Sequence, residues 1–196
     1  PCGAALHENQ LQAYIDARDC DPVSAFGGIV AFNSKVLKDV AEEISKTFIE
    51  VLIAPDYDSE ALEILSKKQN LRVLKSPEII KPAESSKDIK KVVGGVLYQD
   101  SDNTSDEDFE DYKVATKKQP SSEEIETLKL AWKICKNVKS NAIVFAKDNK
   151  TVGIGAGQMN RVNSVQLATI KASEHYGTTG SVLASDAFFP FRDGID

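Results

Sequence analysis

Apolar residues recur at helix and strand spacings along the first hundred residues. Leu11, Tyr14 and Ile15 follow three- and four-residue steps, which predicts a helix that ends before Pro22. The predicted elements are helices at 8–19, 35–46 and 59–68 and strands at 26–33, 48–53, 71–74 and 92–98. Because strands alternate with helices, the pattern predicts an α/β unit with a largely buried sheet.

The same alternation returns after residue 120. A helix is predicted beyond Pro120, with an apolar stripe formed by Ile125, Leu128, Ala131, Trp132 and Cys135. Strands are predicted at 142–146, 152–155 and 181–183, and a helix at 161–175. Between the halves, residues 100–111 hold seven acids and no base, which indicates either a solvated linker or an acidic docking tail. We therefore predict two α/β subdomains, 1–99 and 120–196, joined by an acidic connector at 100–119.

Composition and charge narrow the class of protein. The chain has 196 residues, of which 41% are hydrophobic and 28% charged, as in folded rather than disordered proteins. A net charge of −6 argues against wholesale binding to nucleic acid. No apolar run is long enough for a membrane span, and no signal peptide opens the chain. Cys2, Cys20 and Cys135 form no zinc pattern, so we expect a cytoplasmic protein with reduced thiols.

Two features of the first half are candidate ligand contacts. The pair Gly27 and Gly28 precedes a predicted strand, where backbone amides can approach a ligand closely; the alternative is a tight turn that needs a positive φ. Glu50 lies within an apolar run, and a carboxylate is costly to bury unless it is paired or faces a ligand. If that strand alternates, Glu50 points to solvent instead.

Two features of the second half are also candidates. Gly153, Gly155 and Gly157 share one face of an extended segment, which offers a smooth surface to a ligand or allows close packing of backbone. This spacing is not the dinucleotide fingerprint. The helix after this run offers its N-terminus and Arg161 to an anion. The aromatic run at 185–193 is typical of a flat site for a planar heterocycle or of a packed core.

Together these motifs resemble the formyltransferase domain of bifunctional purine biosynthesis proteins, which acts on aminoimidazole carboxamide ribonucleotide (AICAR). The matching stretches are 1–4, 21–33, 53–55, 139–142, 153–161 and 185–193, in the family's order. The resemblance implies transfer of a formyl group from 10-formyltetrahydrofolate to the amino group of AICAR in IMP biosynthesis. It implies two tandem, three-layer cytidine-deaminase-like α/β subdomains, the second truncated here. It also implies a homodimer with active sites across the subunit interface.

The resemblance assigns roles to individual residues. Asn141 matches the catalytic Asn, which donates to the formyl oxygen or to the carboxamide of AICAR. The AICAR contacts would be Ser24, Phe26, Gly27, Glu50, Asn141 and Arg161, and the folate contacts Val23, Val162, Phe188, Pro190 and Asp193. Family members lack the deaminase zinc, and a potassium ion is implied near Ser140 and Asp186.

The resemblance also places chemistry outside these residues. The chain begins without Met and stops after an aromatic run, so we expect a piece of a longer polypeptide. The family's Lys-His pair would precede Pro1, and a cyclohydrolase domain would accompany the parent protein. We therefore expect the 196 residues alone to be inactive.

The competing class is a non-catalytic phosphate-binding module that uses the glycine run and Arg161. The enzyme hypothesis requires Asn141, Arg161, Glu50 and Phe188 to meet around one cavity, within one chain or across two.

Overall fold

The computed structural model describes residues 1–77, 87–102, 109 and 112–195. There the chain is a mixed α/β protein with a parallel sheet, a β-hairpin and an antiparallel sheet. The helices are α1 Gln10–Asp19, α2 Pro22–Ala25, α3 Lys38–Ile44, α4 Ser59–Leu65, α5 Ser122–Cys135 and α6 Arg161–His175, with a short 3-10 helix at Arg192–Gly194. The strands are β1 Gly28–Ala31, β2 Ile49–Ala54, β3 Arg72–Lys75, β4 Lys87–Val92, β5 Gly95–Asp100, β6 Ile143–Lys147, β7 Lys150–Gly155 and β8 Val182–Ser185.

The observed bounds of these helices and strands test most of the predicted elements. The predicted helix at 161–175 coincides with α6, and most other predicted elements are confirmed with ends that differ by a few residues. Acidic residues 106–108, 110 and 111 lie outside the described part, so the linker interpretation of the connector stays a prediction. No helix in the described part is both long enough and apolar enough to cross a membrane.

The first sheet is parallel, in the order β1-β2-β3. Helices α3 and α4 connect its strands, as parallel neighbours require. Its core contains Val40, Ile44, Leu52 and Leu65, all fully or almost fully buried. Tyr57 fixes the edge of this core: its hydroxyl hydrogen-bonds the carbonyl oxygens of Leu52 and Leu74 at 3.1 and 2.8 Å. Burial of this phenol raises its pKa to about 12.

The predicted single strand at 92–98 is wrong, because the chain turns back within it. Gly94 adopts a φ of +84°, a left-handed conformation that glycine tolerates, and this turn joins β4 to β5. Ile89 pairs with Tyr98 across the antiparallel hairpin, and both side chains are exposed. The expectation of a largely buried sheet therefore does not extend to this hairpin.

The second sheet is antiparallel, in the order β7-β6-β8, with a helix on each face. Val144 and Ala146 of β6 pack with Ala131 and Cys135 of α5. The alternate face of the strands meets α6, since successive side chains of a strand point to opposite faces. Trp132, which the sequence placed on the apolar stripe of α5, is instead 49% exposed, because the buried side of the helix is centred on Leu130 and Ala131 and on Cys135 one turn later.

The chain's beginning lies against the second sheet. Ala5 pairs with Lys150 of β7, and the Thr151 amide donates to the Ala4 carbonyl at 2.9 Å. Lys150 also forms an ion pair with Asp16 of α1 at 3.1 Å. The boundaries at 99 and 120 stay a prediction, but residues 4–5, assigned to the first subdomain, contact the second sheet directly.

Candidate functional site

Antiparallel pairing brings distant parts of the sequence together at one end of the second sheet. Asn141 lies just before the start of β6, and Asp186 immediately follows the end of β8, which pairs with β6. Arg161 is the first residue of α6, a helix packed on β7 and β6. We call these residues, with Ser185, the amide cluster.

Two partners fix the orientation of the Asn141 carboxamide. Arg161 donates from Nη2 to Oδ1 of Asn141 at 2.9 Å, and Nδ2 of Asn141 donates to the Gln158 carbonyl at 2.8 Å. Because a guanidinium only donates and a carbonyl only accepts, the oxygen and nitrogen of the amide cannot exchange places without losing both bonds. Within the described chain no second acceptor contacts Nδ2, so its other hydrogen can be donated to a ligand.

The backbone of Asn141 is held as firmly as its side chain. The hydroxyl of Ser164, one turn into α6, donates to the Asn141 carbonyl at 2.8 Å. Ser164 is fully buried. The position of Asn141 therefore depends on how closely α6 packs against the sheet.

Arg161 is an ion-paired residue in this structure. Its Nη1 lies 2.6 Å from Oδ1 of Asp186 and donates to the Ser185 hydroxyl at 2.8 Å. Only 11% of the Arg161 side chain is exposed, so its charge needs a nearby counter-charge. The three bonds to Asp186, Ser185 and Asn141 leave two of its five N–H groups for a ligand.

Asp186 is the counter-charge, and it also receives the Ala142 amide at 3.0 Å. Burial raises its pKa, but hydrogen bonds from Ser140, Arg161 and the Ala142 amide outweigh that effect and bring the pKa below its usual value. Asp186 is therefore ionised at neutral pH, and the ion pair with Arg161 persists there.

The potassium ion implied near Ser140 and Asp186 does not fit this arrangement. Oδ1 of Asp186 already accepts from Arg161 and Ala142, and Ser140 hydrogen-bonds the same carboxylate. A cation would have to compete with a guanidinium 2.6 Å away. The ion therefore stays a prediction without support, and we derive no step through it. Across the described ranges no three His, Cys, Asp or Glu side chains are grouped to hold a metal ion.

Two glycines of the 153–157 run serve packing rather than a ligand. A Cβ on Gly155 would lie 1.8 Å from the Ser164 carbonyl oxygen, and one on Gly153 would lie 2.1 Å from that of Ala168. The hypothesis of an open, ligand-facing surface is wrong for this pair, and the alternative of close backbone packing is confirmed. Gly157 differs: it has a φ of +69°, and its amide donates to the Lys139 carbonyl at 2.8 Å.

A second group of candidate residues lies at the beginning of the first sheet, and we call it the aromatic cluster. It comprises Val23, Ser24, Phe26, Gly27, Phe48 and Glu50. Val23 is 75% and Phe26 70% exposed, and the Phe26 ring centroid lies 5.3 Å from that of Phe48. Gly27 has a φ of +71° and donates its amide to the Phe48 carbonyl at 2.8 Å, which confirms the tight turn.

The polar members of the aromatic cluster differ in how they are held. Glu50 is exposed, as strand alternation predicts. The Ser24 hydroxyl donates to Asp21 at 2.7 Å, and Asp21 forms an ion pair with Lys171 of α6 at 3.1 Å. Lys171 lies ten residues after Arg161 on the same helix, about 15 Å along its axis. Hence the aromatic cluster lies near the far end of α6 from the amide cluster.

Four of the five predicted folate contacts, all except Val23, lie close in sequence to the amide cluster. Phe188 is 80% exposed, and Pro190 and Asp193 are exposed as well, so this run is not a packed core. Phe189 is the exception, because its ring lies against Gly194. Val162 is half-buried next to Arg161 at the start of α6.

The structure thus brings Asn141, Arg161, Ser185 and Asp186 together in one group. In the described residues no hydrogen bond, ion pair or ring contact joins Phe26 or Glu50 to that group. The predicted site residues did not include four contributors: Gln158, Ser164, Ser185 and Phe48. The only signals for them were the polar Gln158 directly after the glycine run and the Ser164 position one helical turn after Arg161.

Comparisons with known proteins agree with the motifs. The model of a family described as the AICARFT/IMPCHase bienzyme matches residues 1–171. A bifunctional purine biosynthesis protein PurH from Aquifex aeolicus (strain VF5) is 50% identical over 197 residues, and one from Thermoanaerobacter sp. (strain X514) is 52% identical over 196. All of this chain is covered in both alignments, against 38% and 37% of those relatives. The chain therefore spans well under half the length of these proteins.

Proposed function

We propose, since the chain belongs to the AICARFT/IMPCHase bienzyme family, that it supplies part of the site that transfers a formyl group from 10-formyltetrahydrofolate to AICAR. The observation that carries this proposal is the fixed carboxamide of Asn141, which keeps one N–H for a ligand. The parent protein would also carry the IMP cyclohydrolase activity, in a domain outside these residues.

The reaction needs a donor of this kind. The amine nitrogen of AICAR bonds to the formyl carbon, the bond from that carbon to the folate nitrogen breaks, the amine loses a proton and the folate nitrogen gains one. While both nitrogens are attached, negative charge collects on the formyl oxygen. A donor that is already oriented stabilises this charge without reorganising. Asn141 supplies such a donor through Nδ2.

Arg161 has two roles in this proposal. It orients Asn141, and it offers its two remaining N–H groups to AICAR. Because Asp186 neutralises its charge, we assign it to neutral acceptors such as the carboxamide oxygen of AICAR rather than to the phosphate alone. The same neutralisation disfavours the competing phosphate-binding module, whose central cation would be Arg161.

The two clusters form one active site in this proposal only when two copies of the chain meet. The aromatic cluster (Ser24, Phe26, Gly27 and Glu50 for AICAR, Val23 for folate) presents exposed side chains, as does the run with Phe188, Pro190 and Asp193. An aromatic surface of this kind suits a pterin ring. We propose a homodimer in which one protomer's aromatic cluster covers its partner's amide cluster.

The fold fits the same proposal. The second sheet with α5 on one face and α6 on the other is a three-layer α/β arrangement. We propose that it and the parallel first sheet are parts of two tandem cytidine-deaminase-like subdomains, the second of which continues beyond residue 196.

The test is formyl transfer by the full-length protein and its Asn141→Ala variant. Removing one oriented oxyanion donor typically lowers kcat by about 100- to 1000-fold. We expect that loss, with folate affinity unchanged, because Asn141 acts on the reacting carbon. Asn137→Ala is the matched control. The side chain of Asn137 is exposed, and its amide donates to the Lys133 carbonyl at the C-terminal end of α5.

Two outcomes would contradict the proposal. Equal loss of folate binding and turnover in Asn141→Ala would assign that residue to folding. Robust formyl transfer by residues 1–196 alone would show that no Lys-His pair before Pro1 is needed.

A further inference from the structure

We infer that Asp186 is a positioning residue of the formyl-transfer site, acting through Arg161 on the carboxamide of Asn141. Its role in catalysis rests on the proposed function. The chain of contacts does not: Asp186 Oδ1 lies 2.6 Å from Nη1 of Arg161, and Nη2 of the same guanidinium lies 2.9 Å from Oδ1 of Asn141.

Asp186 is better suited to this task than the other acceptor on Nη1. The Ser185 hydroxyl is neutral, and it gives its own proton to the Ala187 carbonyl at 2.8 Å. Asp186 carries a full charge and is the one carboxylate that pairs with Arg161 in the described part of the chain. Its side chain is 21% exposed, so the pair is only partly screened by solvent.

Asp186 is itself anchored to the backbone that follows Asn141. The Ala142 amide donates to the same Oδ1 at 3.0 Å. One carboxylate oxygen thus joins the backbone beside Asn141 to the guanidinium that holds its side chain. Charge-assisted hydrogen bonds of this kind are shorter and stronger than neutral ones.

Loss of this anchor would affect the reacting end of Asn141. Without Asp186 only the neutral Ser185 hydroxyl still accepts from Nη1 of Arg161, so the guanidinium can turn towards solvent or an anionic substrate. Oδ1 of Asn141 then loses its donor. Only the Gln158 carbonyl then orients the amide. Rotation of that amide would place an oxygen where the developing oxyanion needs a hydrogen. The expected defect is therefore in kcat rather than in substrate binding.

The experiment is a double-mutant cycle in the full-length protein with Asp186→Asn, Asn141→Ala and both together. Asp186→Asn keeps an oxygen for Arg161 and Ala142 but removes the charge. We expect its kcat to fall about tenfold or more, with KM for AICAR and for the folate changed less than about threefold. In the Asn141→Ala background the same substitution should change kcat less than about twofold, because residues acting as one unit are not additive.

Asp148→Asn is the matched control, an exposed carboxylate in the turn at the far end of β6. It should leave both kinetic constants unchanged. If the losses in kcat of the two single variants multiply in the double variant, the two residues act independently and the inference is overturned. An Asp186→Asn defect confined to KM would also overturn it.

The cycle also separates this inference from the proposed function. If the wild-type protein transfers no formyl group, the proposed function fails. Thermal unfolding of the same four proteins then tests the contact chain alone. Non-additive shifts in Tm support it, since residues in one network are energetically coupled, and strictly additive shifts overturn it.

Discussion

The two candidate clusters lie towards opposite ends of α6 and are built on opposite principles. In the amide cluster, Asn141 and Arg161 are held by side-chain and backbone partners at 2.6–2.9 Å. In the aromatic cluster, Val23 and Phe26 project into solvent, and the exposed carboxylate of Glu50 stands beside the turn at Gly27. One cluster is organised before any ligand arrives, whereas the other presents an uncovered surface.

In the proposed function this difference separates chemistry from recognition. A donor to a developing charge must already be aimed, and the closed hydrogen-bond network of the amide cluster provides that. An exposed apolar patch indicates an interaction surface, and the aromatic cluster has that character. Perturbing the first should therefore damage stability and turnover together, whereas perturbing the second should damage binding alone.

The largest effect is expected where backbone packing supports the amide cluster. In Gly155→Ala the new methyl group would lie 1.8 Å from the Ser164 carbonyl, so α6 must move away from β7. Ser164 holds the backbone of Asn141, and turnover should be lost with stability. Overpacking of this kind costs about 3 kcal/mol, measurable by denaturant unfolding of the full-length protein.

Gly95→Ala is the matched control for that substitution. Nothing lies within 4 Å of a Cβ at Gly95 in the hairpin, and its φ is not positive. We expect a change within about 0.5 kcal/mol of zero. Equal unfolding curves for the two variants would show that the close packing of α6 on β7 does not support the site.

An intermediate effect on stability is expected from removing the charge of one anchoring acid in each cluster. Asp186 anchors the amide cluster, and Asp21 anchors the aromatic cluster through Ser24. Burial raises the pKa of Asp21, but bonds from Ser24 and Lys171 outweigh it, so its pKa is lowered like that of Asp186. A lowered folded pKa means that the unfolded chain binds more protons in acid. The stabilisation is therefore complete above the ordinary Asp value of about 3.9 and is lost as the pH falls through the folded pKa.

Unfolding between pH 6 and pH 3 tests this with Asp186→Asn and Asp21→Asn. Bonds to charged groups contribute about 1.5–3 kcal/mol, and we expect Asp186 towards the upper end because Arg161 is less exposed than Lys171. Each variant should differ from wild type at pH 6, and the difference should shrink as the pH falls below the ordinary Asp value of about 3.9. A difference that grew in acid would reverse the assigned direction.

Local elements could be predicted from the sequence because their causes are local. The periodicity of 161–175 and the glycines before it define α6, and the predicted end before Pro22 agrees with α1. The hairpin was missed because one left-handed glycine, Gly94, divides an apolar run that otherwise resembles one strand. Trp132 was misplaced because the stripe assigned to α5 extended beyond its buried side: Ala131 and Cys135 are buried, whereas Trp132 is exposed.

The sequence could show which residues belong to the candidate site but not which of them contact one another. Asn141 and Arg161 were identified from motifs, whereas the contact of Arg161 with Asp186 spans 25 residues and depends on β8 pairing with β6. Strand order is not a local property, so the sequence could not show it. The glycine run was ambiguous for the same reason, since no local signal says whether a ligand or a helix lies against it.

The smallest effect on stability is expected from Phe26→Ala. Phe26 is 70% exposed, and its ring contact with Phe48 contributes about 0.5–1.5 kcal/mol at most. Tyr98→Ala, an exposed aromatic on the hairpin, is the matched control. If the aromatic cluster serves recognition, Phe26→Ala should lower AICAR affinity in the full-length protein about tenfold while its Tm stays within a few degrees of that of Tyr98→Ala. A large loss of Tm with unchanged affinity would make the aromatic cluster a structural element and leave the amide cluster as the candidate site.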